Sequence, residues 1–214
     1  MNTLATWPGR GLYAVTDGPR TDLLEAVAQA LAGGARLLQY RDESGDAPRR
    51  HAEATALLQL CRTHGVPLII DGDVALARAV GAHGVHLSGI EDDIGTVRAE
   101  LGEHAIIGVS CRGSLPCAQV AARAGASYIS FGTFFLSPTK PLAPRVSIDL
   151  LRQSAALGVP RVAIGGITPD NGASLVEAGA EYLAAISAVF RATDVRAAAQ
   201  RFTDMYSSDQ EHPH

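Results

Sequence analysis

The stretch PLIIDGDVALA, residues 67–77, passes from an apolar run into Asp71-Gly72-Asp73 and then into an Ala/Val/Leu segment with helical spacing. A short apolar run that stops at Asp, Gly and Asp predicts a strand turning into a helix, with Asp73 able to accept bonds from the first helical amides. This accounts for Asp73. It leaves Asp71 at the C-terminal end of a strand.

The same unit recurs outward in both directions. Candidate strands are GLYAVTD (11–17), ARLLQYR (35–41), VPLIID (66–71), GVHL (84–87), AIIGVS (105–110), ASYISFG (126–132), RVAIGG (161–166) and YLAAIS (182–187). Between them the periodicity predicts helices over about 22–32, 49–64, 73–80, 93–101, 114–123, 147–157, 170–178 and 193–204. Leu23, Val27, Ala30 and Leu31 give the first of these an apolar face at the helical period. Glycine closes many units, as in ALAGGARLL, AVGAHGVHL and VEAGAEYLA, where a helix ends and a new strand starts. Alternation on this scale predicts an α/β fold, a parallel sheet closed into a single (β/α)8 TIM barrel over 11–206. Residues 1–10 are then an N-terminal extension and 207–214 an irregular tail, whose His212 and His214 alone make no metal site. An open doubly wound sheet is the alternative; no Gly-x-Gly-x-x-Gly follows the first strand, which weakens its dinucleotide-binding form.

Composition narrows the classes of function. The chain has 214 residues, 47% of them hydrophobic, enough for a sizeable core. With 18 Lys and Arg against 22 Asp and Glu, the net charge of -4 offers no global field for nucleic acid. The apolar runs are too short to span a bilayer, and the N-terminus lacks the pattern of a signal peptide, so the expectation is a cytoplasmic protein. Cys61, Cys111 and Cys117 are too few and too irregular for a disulfide framework and are read as structural.

In a barrel the strand C-termini share one face, which would gather Gln39, Arg41, Asp71, Ser110, Gly166 and Ser187 from distant parts of the sequence. Gln39 and Arg41, two apart, would point to the same side, and Arg41 could clamp a phosphate. FGTFFLSPTKPLAPR (131–145) offers Ser137, Thr139 and Lys140 among prolines that oppose a helix, a loop suited to phosphate or pyrophosphate. In RVAIGGITPDN (161–171), Gly165 and Gly166 would let amides approach an oxyanion ahead of a helix starting near Asp170. Ile186 and Ser187 precede a further apolar helix start. Asp71 and the run Glu91-Asp92-Asp93 carry the oxygen ligands that Mg2+ favours; for the run, helix capping is the competing assignment.

At these residues the pattern resembles the thiamine phosphate synthase family. LYAVTD, LLQYRD, PLII with its acidic turn, GVHL, IIGVS, FGTFFLSPTKP, VAIGGITPDN and AISAVF follow the family's order from residue 11 to about 200. The resemblance implies an Mg2+-dependent transferase of thiamine biosynthesis. It would join 4-amino-2-methyl-5-hydroxymethylpyrimidine diphosphate to a thiazole phosphate and release pyrophosphate. It assigns Arg41, Ser110 and Lys140 to catalysis. Gln39, Tyr40, Arg41, Asp42, Glu43 and Asp71 fall on the pyrimidine-diphosphate side, Ser137, Pro138, Thr139 and Lys140 on the loop between the substrates, and Gly166, Ile186 and Ser187 on the thiazole-phosphate pocket. The chain departs from the family at three places: Gly72 stands where the metal aspartate is usual, Glu91 takes the next metal carboxylate position, and Glu43 replaces a lysine. Asp71, Asp73, Glu91 and Asp92 are therefore the candidate Mg2+ ligands. A thiazole tautomerase-like enzyme and a noncatalytic phosphate-binding homologue are the alternatives. Nucleic-acid and membrane partners are not expected, and self-association into a homo-oligomer is compatible with the sequence.

Overall fold

A computed structural model describes residues 8–136 and 144–207. Eight strands, β1 (Gly11–Val15), β2 (Leu37–Tyr40), β3 (Leu68–Asp71), β4 (Gly84–Leu87), β5 (Ile106–Arg112), β6 (Tyr128–Phe131), β7 (Arg161–Ile164) and β8 (Tyr182–Ala185), pair in parallel and in sequence order. The barrel closes through β1 and β8, where Gly11 stands opposite Tyr182 and Ala14 opposite Ala185. The helices are α1 (Leu23–Ala32), α2 (Ala47–His64), α3 (Val74–Val80), α4 (Ile94–Leu101), α5 (Leu115–Arg123), α6 (Asp149–Gln153), α7 (Ala173–Glu177), α8 (Ser187–Phe190) and α9 (Val195–Ser207). None among the described residues is long and apolar enough to cross a membrane.

Strand alternation divides the core in two. Leu12 and Ala14 face the helices, with Val27, Leu57 and Phe202, in the layer between sheet and helices. Tyr13 and Val15 face inward, where they meet Leu37, Ile69, Tyr128, Val162 and Tyr182. The barrel interior is thus packed with side chains, and the strand C-termini are left to form the working face.

The expected strands end within one or two residues of those observed. At the first two, Thr16 takes over from the ladder: its hydroxyl donates to the Arg41 carbonyl at 3.0 Å and accepts the Arg41 amide at 2.8 Å. The helix expected over 147–157 is instead α6 followed by a 3-10 turn at Ala155–Leu157. The Ser154 hydroxyl bonds back to the carbonyls of Leu150 at 2.8 Å and Leu151 at 3.1 Å, which competes with helix continuation. The helix expected from about Asp170 begins at Ala173, because Asn171 closes a turn first. Its side chain accepts from the Thr168 amide at 2.8 Å and donates to the Gly166 carbonyl at 3.0 Å.

Candidate active site

The strand C-termini open into one cavity of about 1370 Å3. Ligand pockets for one drug-sized molecule hold about 300–1000 Å3, so this cavity can take two small substrates. Gln39, Arg41 and Glu43 reach it from the β2 end, Asp71 from β3, Ser110 from β5, and Gly166, Ile186 and Ser187 from the ends of β7 and β8. These distant residues meet because a parallel barrel brings every strand end to the same rim.

Asp71 organises the β2–β3 wall. Gln39 donates its amide to one Asp71 oxygen at 3.3 Å, and the Arg41 Nε lies 3.6 Å from the other. A second Arg41 nitrogen is paired with the Glu43 carboxylate. Gln39 is almost fully buried, so its hydrogen bond to Asp71 fixes which way the amide faces.

Beneath this wall lies a polar chain that the sequence pattern does not announce. The Tyr13 and Tyr128 hydroxyls are 2.7 Å apart, and the Tyr128 hydroxyl is 2.9 Å from Nδ1 of His86. The His86 and Tyr128 rings stack with centroids 5.6 Å apart and planes 10° from parallel. Burial holds the His86 imidazole down at about 4, so it is neutral at physiological pH. Burial also raises both tyrosine hydroxyls, which stay protonated. His86 lines the cavity and pairs in register with Asp71 on the adjacent strand. The available signal was an ionisable residue at an inward position in the apolar strand GVHL. Ser88, Ser130 and Arg112 also line the cavity and carry no motif that marks them in the sequence, and Thr133 and Arg145 line it from within the FGTFFLSPTKPLAPR segment.

Several of the expected site residues lie away from the cavity. Tyr40 faces the helix layer, where its hydroxyl donates to Glu53 at 2.6 Å, because it alternates with the inward-facing Gln39. The Asp42 side chain is buried against Arg49 at 2.7 Å and accepts the Ser44 amide, so it shapes the loop and does not line the cavity. Asp73 caps α3 by accepting the Leu76 amide at 2.9 Å and pairs with Arg50 at 2.9 Å. Glu91 and Asp92 are exposed and lie outside the cavity lining. Ser137, Pro138, Thr139 and Lys140 lie outside the described residues. Gly166 is in the cavity wall, at φ +64°, and a Cβ there would stand 2.3 Å from the Leu136 carbonyl oxygen. Close packing of the β6 loop therefore requires glycine at this position in its own right.

The donor set bears directly on magnesium. Among the described residues no three His, Cys, Asp or Glu side chains gather around a point that could hold a metal. Of Asp71, Asp73, Glu91 and Asp92, only Asp71 lines the cavity. Gly72 is left-handed, at φ +65°, with open space where a Cβ would stand, and supplies no ligand. These residues do not fit a magnesium cage built by the protein alone. They fit an ion held by one carboxylate and by substrate phosphates.

The family model of thiamine monophosphate synthase matches residues 12–189. The chain belongs to this family. Thiamine-phosphate synthase of Acidithiobacillus ferrooxidans is 48% identical over 208 residues, covering 94% of this chain and 96% of the relative. That of Thiobacillus denitrificans is 48% identical over 211 residues, covering 97% and 100%. Among solved structures, thiamine phosphate pyrophosphorylase from Pyrococcus furiosus superposes with a TM-score of 0.83 at 32% identity, covering 92% of this chain and 96% of that one. The fold recurs at lower identity in 3-hexulose-6-phosphate synthase, with a TM-score of 0.67 at 20% identity, a likeness of fold alone.

Proposed function

We propose that this member of the family is a thiamine-phosphate synthase. It joins 4-amino-2-methyl-5-hydroxymethylpyrimidine diphosphate to a thiazole phosphate and releases pyrophosphate. The observation that carries the reading is one cavity uniting the Gln39–Asp71–Arg41 cluster with the glycine turns after β7 and the Ser187 turn after β8. Near-full-length relatives of that name support it.

In the reaction the bond from the pyrimidine methylene carbon to the diphosphate oxygen breaks, and its electron pair leaves with pyrophosphate. The thiazole nitrogen forms the new bond to that carbon with its own lone pair. Neither step needs a nucleophile from the protein. The chain's tasks are to orient two rings and to stabilise charge on the leaving group. Gln39, fixed by Asp71, and His86, neutral and held by Tyr128, are suited to orienting a polar aromatic ring. Ser110 offers a hydroxyl at the cavity wall, and Lys140, from the sequence motif, a positive charge. Gly166, Ile186 and Ser187 are the side for the thiazole phosphate.

We infer that magnesium arrives with the diphosphate and that Asp71 would be its protein ligand, since only that candidate carboxylate lines the cavity. Bound there, the ion would neutralise charge on the diphosphate.

The test is a coupling assay with both substrates and Mg2+, following thiamine phosphate and pyrophosphate together. Equal amounts of the two products are expected. A folded protein that makes neither, and instead isomerises a thiazole carboxylate phosphate, would replace this reading with that of a tautomerase.

A further inference from the structure

We propose that Arg20, which lies outside the cavity lining, positions the turn after β8 that faces the thiazole phosphate. This rests on the synthase reading and names a residue that sets how firmly its second substrate is held. Ile186, Ser187 and Ala188 line the cavity, and α8 gives the chain one turn of helix there. A single turn does not hold its own shape, because nucleating a helix is unfavourable. Its position has to come from what it packs against.

Two anchors fix this turn. On the inner side, Val189 and Phe190 are buried in the layer between sheet and helices. On the outer side, Arg20 from the loop between β1 and α1 grips Phe190 twice. It donates to the Phe190 carbonyl at 2.8 Å, and its guanidinium carbon lies 5.7 Å from the centroid of the Phe190 ring. That carbonyl is one of those a helix end leaves without a partner inside the helix. Phe190 is in turn bonded to the cavity wall, since its amide donates to the Ile186 carbonyl at 2.9 Å. Arg20 is therefore two hydrogen bonds away from a residue that lines the cavity.

Arg20 is itself held against swinging. Its Nε and one terminal nitrogen donate to the two oxygens of Asp22 at 2.6 and 2.8 Å, while the other terminal nitrogen donates to Asp17 at 3.0 Å as well as to Phe190. Asp17 directly follows Thr16, whose amide donates to the Gln39 carbonyl at 3.0 Å, so the clamp is tied to the barrel rim. Arg191 also pairs with Asp17, at 3.5 Å, but its side chain is 62% exposed against 18% for Arg20, and an exposed pair of this kind contributes little. Lysine cannot replace Arg20 in this arrangement. It carries the same charge as a point on a flexible stem, without the planar fork that joins Asp22, Asp17 and Phe190.

The experiment compares Arg20→Gln, Arg20→Lys and Asp22→Asn with the unchanged protein. KM is measured separately for each substrate, the thiazole phosphate is titrated by calorimetry, and urea unfolding follows stability. Arg20→Gln should raise the KM of the thiazole phosphate about tenfold and weaken its binding by a similar factor, while the KM of the pyrimidine diphosphate stays within about twofold. Arg20→Lys should still raise the first KM about fivefold, because the charge remains and the fork is lost. Asp22→Asn loosens the fork from an exposed position without touching α8, and should raise the same KM about threefold even where Arg20→Gln fails to fold. Full recovery by lysine would show a charge acting through space and overturn the positioning role. A loss of stability with both KM values unchanged, or an equal rise in both, would overturn it as well. Arg20-dependent binding of the thiazole phosphate in a protein that makes no thiamine phosphate would instead overturn the synthase reading and leave the role of Arg20 standing.

Discussion

Asp71 and Asp73 are separated by one left-handed glycine and serve different parts of the molecule. Asp71 lines the cavity between Gln39 and Arg41, whereas Asp73 turns to the α3 amides and Arg50. The two carboxylates should therefore separate activity from stability. Asp71→Asn should lower kcat/KM tenfold or more, a loss of about 1.4 kcal/mol in the transition state, with little change in unfolding. Asp73→Ala should cost about 1–2 kcal/mol of stability through the lost cap and leave turnover of the folded fraction nearly intact. Steady-state kinetics and urea unfolding of both variants check this. A stability loss at Asp71 with an activity loss at Asp73 would reverse the assignment.

Between them, Gly72 carries a φ of +65° with nothing within 4 Å of a Cβ built there. An aspartate at 72 has room, and Asp is among the residues that tolerate the left-handed region, at a cost of about 1 kcal/mol. Gly72→Asp would add a second carboxylate next to Asp71, where the family's metal aspartate is usual. The Mg2+ concentration for half-maximal turnover should then fall about fivefold, the effect of roughly 1 kcal/mol of added binding. Titrating Mg2+ against turnover measures this, and an unshifted midpoint would show that position 72 does not reach the ion.

The barrel was legible because its signal is repeated. Every β-turn-α unit restates the same period, and an error of two residues at one strand end leaves the others unaffected. Gln39, Arg41, Asp71, Ser110, Gly166 and Ser187 could be gathered from sequence because strand ends in a parallel barrel share one face. What could not be read was the direction of side chains just beyond the strands. Asp73 carried both a capping and a metal assignment, and only the structure shows the capping bond from the Leu76 amide. Tyr40 matched a family motif, yet strand alternation turns it outward to Glu53. Arg112 gave no local sign at all, since its aim depends on pairing with β6, a partner strand distant in sequence.

His86 sets a pH dependence of stability. Its pKa is depressed to about 4 in the fold, against an ordinary value of 6.5 in the unfolded chain. Between pH 4 and 6.5 the unfolded chain thus binds more protons, and stability falls as pH drops through that window. The full loss is on the order of 3 kcal/mol, at about 1.4 kcal/mol per unit. His83, also depressed by burial, and with its Nδ1 accepting the Leu68 amide at 3.0 Å, acts in the same direction. Urea unfolding from pH 4.5 to 7.5 should show a shallower decline in His86→Gln than in the unchanged protein. Parallel curves would mean that His86 does not resist protonation in the fold.

Gly108 supports the same histidine from below. A Cβ at 108 would lie 1.9 Å from Cζ and 2.2 Å from the hydroxyl oxygen of Tyr128. The Tyr128 ring cannot retreat, because it is fully buried, meets Tyr13 edge-on at 5.8 Å and stacks on His86 at 5.6 Å. Gly108→Ala should therefore destabilise by about 1–3 kcal/mol, the range for overpacking a closed core, and should lower kcat by moving the hydroxyl that holds His86. Replacing Tyr128 by leucine removes the atoms that the new methyl group strikes. In a double-mutant cycle, Gly108→Ala with Tyr128→Leu should then cost less than the sum of the singles by about 1 kcal/mol or more. The activity of the double variant should stay low, since the hydroxyl is gone in either case. Additive stability costs would place the strain somewhere other than Tyr128, and recovered kcat would show that His86 works without its tyrosine.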